Sequence, residues 1–285
     1  MDWNSEAIAS LIRQALAEDI GPGDATCAAT IPERATARAR ILTRDSIVCA
    51  GVPLAQRVFR ALDLWMMFEA PHQDGERAEA GSDLLRMQGS ARAILTGERT
   101  ALNFLARLSG IATLTGAFVR QLAETRVRIR DTRKTTPLLR AMEKYAVRMG
   151  GGVNHRFGLY DAILLKENHI ALAGGVHQAL EKARAYSTSL PVQIEVRNAT
   201  ELGEALAAGA DAVLLDNMKV DEATLCVTLA RQLRPQCIVE ISGGITLENV
   251  RAYAQTHADY LSVGQLTHSA PAANLSLLVE SVAGG

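Results

Sequence analysis

From Thr125 onward the chain alternates short apolar runs with longer amphipathic segments, and that rhythm restricts the fold more than anything else in the sequence. The runs Val127–Arg130, Ala162–Leu165, Val192–Val196, Ala212–Leu215, Ile238–Ile241 and Tyr260–Val263 have strand length. Segments with helical spacing lie between them, most clearly Leu138–Arg148, Val176–Tyr186, Ala199–Ala208 and Asp221–Leu233. Apolar strands separated by amphipathic helices pair in parallel, with the helices outside. Six such units point to a barrel-like sheet rather than a two-layer sandwich. No glycine-rich dinucleotide fingerprint follows the first strand, which argues against a Rossmann domain.

The residues before Thr125 read as a separate α+β module. Ile8, Leu11, Ile12 and Leu16 share one face of a helix over Ser5–Ala17, and Gly21-Pro22-Gly23 stops it. A strand is expected over Ala37–Val48, a helix over Val52–Leu62 and a strand over Leu64–Phe68. Ser82–Leu95 resembles two short strands around a turn at Gly89. One helix should run from near Gly97 through Leu108, and a second over Thr113–Leu122. A chain of 285 residues is long enough for two such domains, each with its own core.

Charge and cysteine content limit the partners. The chain carries 30 basic and 31 acidic side chains, a net charge of −1, so no global positive field is available for nucleic acid. The opening MDWNSEAIAS lacks a basic segment followed by a long apolar core, and runs such as Leu64–Phe68 are far too short to span a bilayer. Cys27, Cys49, Cys226 and Cys237 show no paired metal or redox spacing, which suits buried, reduced thiols. The expectation is a cytoplasmic protein with neither nucleic acid nor membrane as partner.

The positive charge is local. From Arg126 to Arg156 there are nine Arg or Lys against two acids, Asp131 and Glu143. Each expected strand of the second half runs into a polar or glycine element: Asp131-Thr132-Arg133-Lys134, Lys166-Glu167-Asn168-His169, Glu195, Asp216-Asn217, Ser242-Gly243-Gly244 and Gly264. In a parallel α/β barrel all carboxyl ends share one mouth, where active sites form. Arg133 and Arg156 can each grip a carboxylate with two parallel hydrogen bonds, while Lys134 and Lys166 supply point charges. His155, between Asn154 and Arg156, is placed to touch a ligand. Thr135-Thr136-Pro137 should lead into a helix whose first amides add positive potential. Arg126, Arg128 and Arg140 read as helix-surface residues, with Arg130 undecided between surface and site.

Glu195 and Asp216 are the acids at the mouth, suited to a loosely held Mg²⁺ completed by phosphate oxygens, or to ion pairs with the cluster's own cations. Ser242-Gly243-Gly244, ahead of a helix led by Thr246 or Leu247, offers backbone N–H groups as a phosphate cradle. Gly264 would let a ligand approach the backbone closely. Lys166 also admits a Schiff-base reading, as in aldolases, and the basic stretch admits an RNA-binding one.

DTRKTTP, GGGVNHR, GLYDAILLKENHI, IEV, LLDNM, EISGGI and SVGQLTHS, with EDIGPGDAT, CAGVP and GERTALNFLARLSGIAT before them, resemble the motifs of the quinolinate phosphoribosyltransferase family (carboxylating nicotinate-nucleotide pyrophosphorylases) from Leu16 to Leu278. The intact RKTTP, NHR and KENH favour this family over its molybdenum-transport-associated paralogue. The resemblance implies an α+β sandwich domain (1–110 and 269–285, the tail returning to it) and a parallel α/β barrel-like domain (111–268) of seven strands. Only six are evident in the sequence. It further implies phosphoribosyl transfer from phosphoribosyl pyrophosphate to quinolinate, with decarboxylation to nicotinate mononucleotide, in NAD biosynthesis.

By resemblance, Arg133, His155, Arg156 and Lys166 bind quinolinate, together with Arg99 from the partner of a homodimer. Lys134, Glu195 and Asp216 carry the chemistry and bind phosphoribosyl pyrophosphate with its Mg²⁺, helped by Ser242, Gly243, Gly244 and Gly264. From the residues alone Arg99 reads as a helix-surface side chain. Some positions depart from the pattern: Leu138 replaces the glycine usual after TTP, and Met149 stands where cysteine is common. Gln193 and Arg197 stand where many members carry acids, so Arg197 could pair with Glu195 or tighten phosphate binding.

Overall fold

The computed structural model describes residues 1–283. Two compact units divide the chain: Met1–Leu114, Ala141–Gly151 and the stretch from Ala270 form one, Thr115–Arg140 and Gly152–Ser269 the other. The sequence reading kept 111–268 together, whereas 141–151 groups with the first unit.

In the first unit α1 (Glu6–Ile20) buries Ile8, Ile12 and Leu16, as its spacing requires. A short α2 (Ala25–Thr30) follows, capped by the Asp24 carboxylate, which accepts from Cys27 N. The strand expected over Ala37–Val48 is two strands, β1 (Thr36–Thr43) and β2 (Ile47–Val48). A turn at 44–46 separates them, with Thr43 Oγ1 donating to Asp45 O at 2.7 Å. Helix α3 (Val52–Leu62) has the expected bounds. Asp74 takes the amides at its start, Gly51 N at 2.9 Å and Val52 N at 3.0 Å. Strand β3 (Met67–Glu69) begins later than expected, leaving Leu64 and Trp65 exposed. After β4 (Arg77–Ala78) and β5 (Asp83–Ser90), a single helix, α4, spans Ala91–Gln121.

Two expectations fail at α4, for one physical reason. Gly89 and Gly110 mark close approach, not turns. A Cβ on Gly89 would lie 2.7 Å from Asp63 Oδ2, the oxygen that accepts from Ser90 N, so the chain enters α4 here instead of a second strand. A Cβ on Gly110 would lie 2.0 Å from Pro271 O, so the glycine admits a neighbouring backbone without breaking the helix. By length and composition α4 could cross a bilayer, contrary to the sequence reading, yet Ile94, Ala101, Leu102, Leu105, Leu108 and Ile111 are all buried as in a core helix. The unit's antiparallel sheet runs from the C-terminal strand Leu275–Ala283 through β1 and β5 to β3, so the tail does return to this domain.

The remaining elements are β6 (Arg128–Arg130), α5 (Arg140–Met149), β7 (Ile163–Leu165), α6 (Glu167–Ala173), α7 (Val176–Tyr186), β8 (Val192–Val196), α8 (Ala199–Ala207), β9 (Ala212–Asp216), α9 (Val220–Leu233), β10 (Ile238–Ser242), α10 (Val250–Ala254), β11 (Tyr260–Ser262), α11 (Gln265–His268) and β12 (Leu275–Ala283). In the second unit all six expected strands form, each within a residue of the bounds read from sequence. They pair in parallel in the order β6-β11-β10-β9-β8-β7. Beyond β6, Val153 makes a parallel bridge to Arg130, its N donating to Ile129 O at 2.8 Å. This single bridged residue stands where a seventh strand would be, too short to leave an apolar run in the sequence.

Register arranges the polar residues in rows. Glu195, Leu214 and Glu240 are cross-strand partners, and two residues further on Asp216, Ser242, Ser262 and Arg130 are partners in turn. Residues two apart share a face of a strand, so both rows point the same way. The alternate residues Ile194, Val213, Leu215, Val239 and Ile241 are fully buried.

Candidate active site

A cavity of about 610 Å³ opens at the carboxyl ends of these strands. Arg133, Lys134, Lys166, Glu195, Asp216, Ser242, Gly243, Gly244 and Gly264, expected at strand ends, all line it, and so do His155 and Arg156 from the cation cluster. Arg99 is not among its lining residues. It is an exposed side chain on α4 in the first unit.

Arg133 and Arg156 are two cations held close together. Burial first, and then the charge of Arg133, pull the Arg156 guanidinium below its ordinary pKa. Arg156 is anchored by Nη1 donating to Ala162 O at 3.0 Å. The Nε of each arginine is buried and lacks a hydrogen-bond partner among the described residues. Buried donors of this kind are satisfied in nearly all proteins, by protein, ordered water or a ligand. The arrangement suits a compact anion with more than one carboxylate oxygen.

Arg140 is a correction. It does not cover a helix surface but braces the Arg133 loop, donating to Thr135 Oγ1 at 2.9 Å, Phe157 O at 3.1 Å and Arg133 O at 3.4 Å. Arg130 also resolves inward, with Nη1 2.7 Å from Glu240 Oε2 and its guanidinium 3.5 Å from the centre of the Tyr260 ring. Arg126 and Arg128 are exposed, as read from sequence. The helix expected at Leu138 begins at Arg140, because Leu138 takes a left-handed φ of 67°.

On the other side of the cavity Lys166 Nζ donates to Glu195 Oε2 at 2.8 Å. Its engagement in an ion pair removes the motive for a Schiff-base role. Arg197 pairs with Glu167 at 2.8 Å and Glu201 at 2.9 Å, so of the two readings offered for it the pair with Glu195 does not form. Asp216 accepts from Asn217 Nδ2 at 3.1 Å. Among the described residues no group of three or more His, Cys, Asp or Glu could cage a metal. The donor set is two carboxylates on neighbouring strand ends, oxygen-only and incomplete. That fits a Mg²⁺ arriving with, and finished by, substrate phosphates and water.

The glycine turn is shaped by contact. Gly243 and Gly244 have φ of 97° and 65°, and a Cβ on Gly243 would come 2.2 Å from Asn217 Oδ1. Nothing lies within 4 Å of a Cβ position on Gly244, where the backbone faces open space. The helix expected from Thr246 starts only at Val250, which leaves the turn's own amides as the N–H groups next to the cavity. Gly264 is approached by Lys134, whose Cδ would be 3.3 Å from a Cβ there. Thr267 Oγ1 fixes the Lys134 carbonyl at 2.7 Å.

Two further acids line the cavity, and sequence reasoning gave neither a role of its own. Asp131, fully buried, accepts His155 N at 2.7 Å and Asn154 Nδ2 at 2.6 Å. Glu240, also fully buried, accepts from Arg130, from Gln193 Nε2 at 3.0 Å and from Ser262 Oγ. One signal was present: an acid between Val239 and Ile241 in an apolar strand must have a partner. The four cysteines are free and buried as expected, with burial pushing the Cys49 thiol up to about 12.

Residues 24–109 match the sequence model of the quinolinate phosphoribosyl transferase N-terminal domain, and residues 111–278 that of the C-terminal domain. A carboxylating nicotinate-nucleotide pyrophosphorylase of Mycobacterium leprae is 43% identical over 94% of this chain and 95% of its own length. A decarboxylating quinolinate phosphoribosyltransferase of Nicotiana tabacum is 37% identical, over 95% of this chain and 82% of its own. The solved nicotinate-nucleotide pyrophosphorylase of Francisella tularensis superposes with a TM-score of 0.92 at 39% identity, covering 96% of each chain. Two domain matches that together span nearly the whole chain, on the fold and cavity described above, make this protein a member of the quinolinate phosphoribosyltransferase family.

Proposed function

We propose that the protein transfers the phosphoribosyl group of phosphoribosyl pyrophosphate to quinolinate and releases CO₂, forming nicotinate mononucleotide and pyrophosphate for NAD biosynthesis. The observation that carries this reading is the Arg133–Arg156 pair with its two orphan Nε donors, set in one cavity with Glu195 and Asp216. A pyridine dicarboxylate is flat, dianionic and rich in acceptors, which is what this cation pair lacks. Relatives named for this reaction over nearly the full chain support the same reading.

Each residue then has a physical task. Arg133 and Arg156 hold the carboxylates, with His155 and Lys166 beside them, and orient the ring nitrogen toward the sugar. Lys134 and the amides of Ser242-Gly243-Gly244 and Gly264 bind phosphate oxygens. Glu195 and Asp216 would hold Mg²⁺, which when bound offsets the charge of the departing pyrophosphate. The same carboxylates stabilise positive charge that develops on the ribose as its bond to pyrophosphate lengthens. No side chain need act as a covalent nucleophile; fixed geometry and charge supply the rate.

Arg99 belongs to this reading as a cation supplied by the second chain of a homodimer. Its support is the GERTALNF motif and its exposure on α4. Four buried free thiols accord with a soluble, cytoplasmic enzyme. Incubation with quinolinate, phosphoribosyl pyrophosphate and Mg²⁺ should yield CO₂ and nicotinate mononucleotide in equal amounts. Turnover of nicotinate with none of quinolinate would refute the assignment.

A further inference from the structure

Beneath His155 lies a chain of hydrogen bonds whose polarity is fixed at one end. Glu240 is fully buried, and Arg130 Nη1, at 2.7 Å from its Oε2, holds it as a carboxylate. A carboxylate only accepts. Gln193 must therefore turn its NH₂ toward Glu240, where Nε2 is 3.0 Å from Oε2, and the same nitrogen faces Val213 O at 3.5 Å. The amide oxygen is left facing the other way, 3.1 Å from His155 Nε2. An amide oxygen also only accepts, so His155 Nε2 must carry a hydrogen.

We propose that Glu240 and Gln193 are positioning residues for His155: acting in series, they fix its hydrogen on Nε2 and hold that edge of the ring inward. Two further contacts hold the arrangement. Ser262 Oγ donates to Glu240 Oε1, and Asp131 Oδ1 accepts His155 N at 2.7 Å, tying down the histidine backbone. The Glu240 carboxylate itself lies 3.7 Å from Nε2, behind the Gln193 amide. Histidine alone can offer either nitrogen, so an unheld ring would spend part of its time in the wrong tautomer.

The functional half of this inference rests on His155 being a quinolinate contact, but the tautomer does not. Two-bond ¹H–¹⁵N NMR of the ligand-free protein, with the His155 signals identified by their loss in His155→Asn, reads the protonated nitrogen directly. Wild type should show hydrogen on Nε2. Gln193→Leu keeps the size but removes the acceptor, and should give a mixed or reversed tautomer. It should also raise the KM for quinolinate by about 10-fold, with the KM for phosphoribosyl pyrophosphate nearly unchanged. Glu240→Gln removes the carboxylate that orients Gln193 and should likewise give a mixed or reversed tautomer. Hydrogen on Nδ1 in wild type, or an unchanged tautomer in Gln193→Leu, would overturn the proposal. A normal tautomer in a protein that ignores quinolinate would instead count against the proposed substrate.

Discussion

Lys166 Nζ and Glu195 Oε2, 2.8 Å apart, join the two halves of the cavity in one ion pair. On the proposed assignment Lys166 serves the dicarboxylate and Glu195 the phosphoribosyl donor, so each substrate would draw one partner away from the other. The lysine side chain is half exposed, so the pair contributes less than about 1 kcal/mol. Glu195→Gln should therefore bind quinolinate alone up to about 5-fold more tightly while losing turnover. Titration calorimetry without phosphoribosyl pyrophosphate measures this, and weaker binding would show that the pair organises the quinolinate site instead of occupying it.

Leu138 has a φ of 67° and an 85% exposed side chain. A non-glycine residue in this region costs about 1–2 kcal/mol, partly offset by the greater unfolded-state freedom that glycine would bring. Leu138→Gly should stabilise the protein by about 0.5–1 kcal/mol, raising Tm by about 1–3 °C. A lower Tm in calorimetry would mean that the leucine makes a compensating contact.

Asp24 accepts from Cys27 N and Thr96 Oγ1, both at 2.9 Å. The Cys27 amide foremost, then the Cys27 thiol and Thr96, lower its pKa from 3.8 to about 2. A depressed carboxylate contributes stability that is present above its unfolded value and is lost as pH falls through the folded one. The contribution of Asp24 should thus fade between pH 3.8 and about 2. Asp24→Asn should flatten the dependence of Tm on pH within that window, and an unaltered slope would show that other carboxylates govern the acid limb.

Arg99 allows a test of shared sites. If it serves the partner's cavity, Arg99→Ala and Arg133→Ala are each inactive, but dimers mixed from the two contain one intact site. Co-refolding should restore activity that neither variant has alone, whereas uniformly inactive mixtures would place Arg99 in its own chain's site or outside any site.

Much of the fold and cavity was legible in the sequence because both follow from periodicity. Six apolar strands fix a parallel sheet, and a parallel sheet puts every strand end at one mouth, so Arg133, Lys166, Glu195, Asp216 and Gly264 could be grouped with no knowledge of contacts. Hydrogen-bond direction and close approach were not legible. Gly89 looks like a turn residue, and α4 like two helices, until Asp63 is seen against Gly89 and Pro271 against Gly110. Arg140 looks like a surface charge until Thr135 appears as its partner, and Arg130 stays undecided until Glu240 does. Beyond the six strands only Val153 adds a bridge, and a single residue has no period to detect. Short elements such as α2 depend on the cap at Asp24 more than on any repeating pattern.

The central claim is that Arg133 and Arg156 form the dicarboxylate clamp, separate from the phosphoribosyl side. Calorimetric titration of Arg133→Ala with each substrate tests it most directly. Loss of a charged two-bond contact should weaken quinolinate about 100-fold or more, with phosphoribosyl pyrophosphate affected by no more than about 3-fold. The opposite ranking would show that the two subsites are reversed.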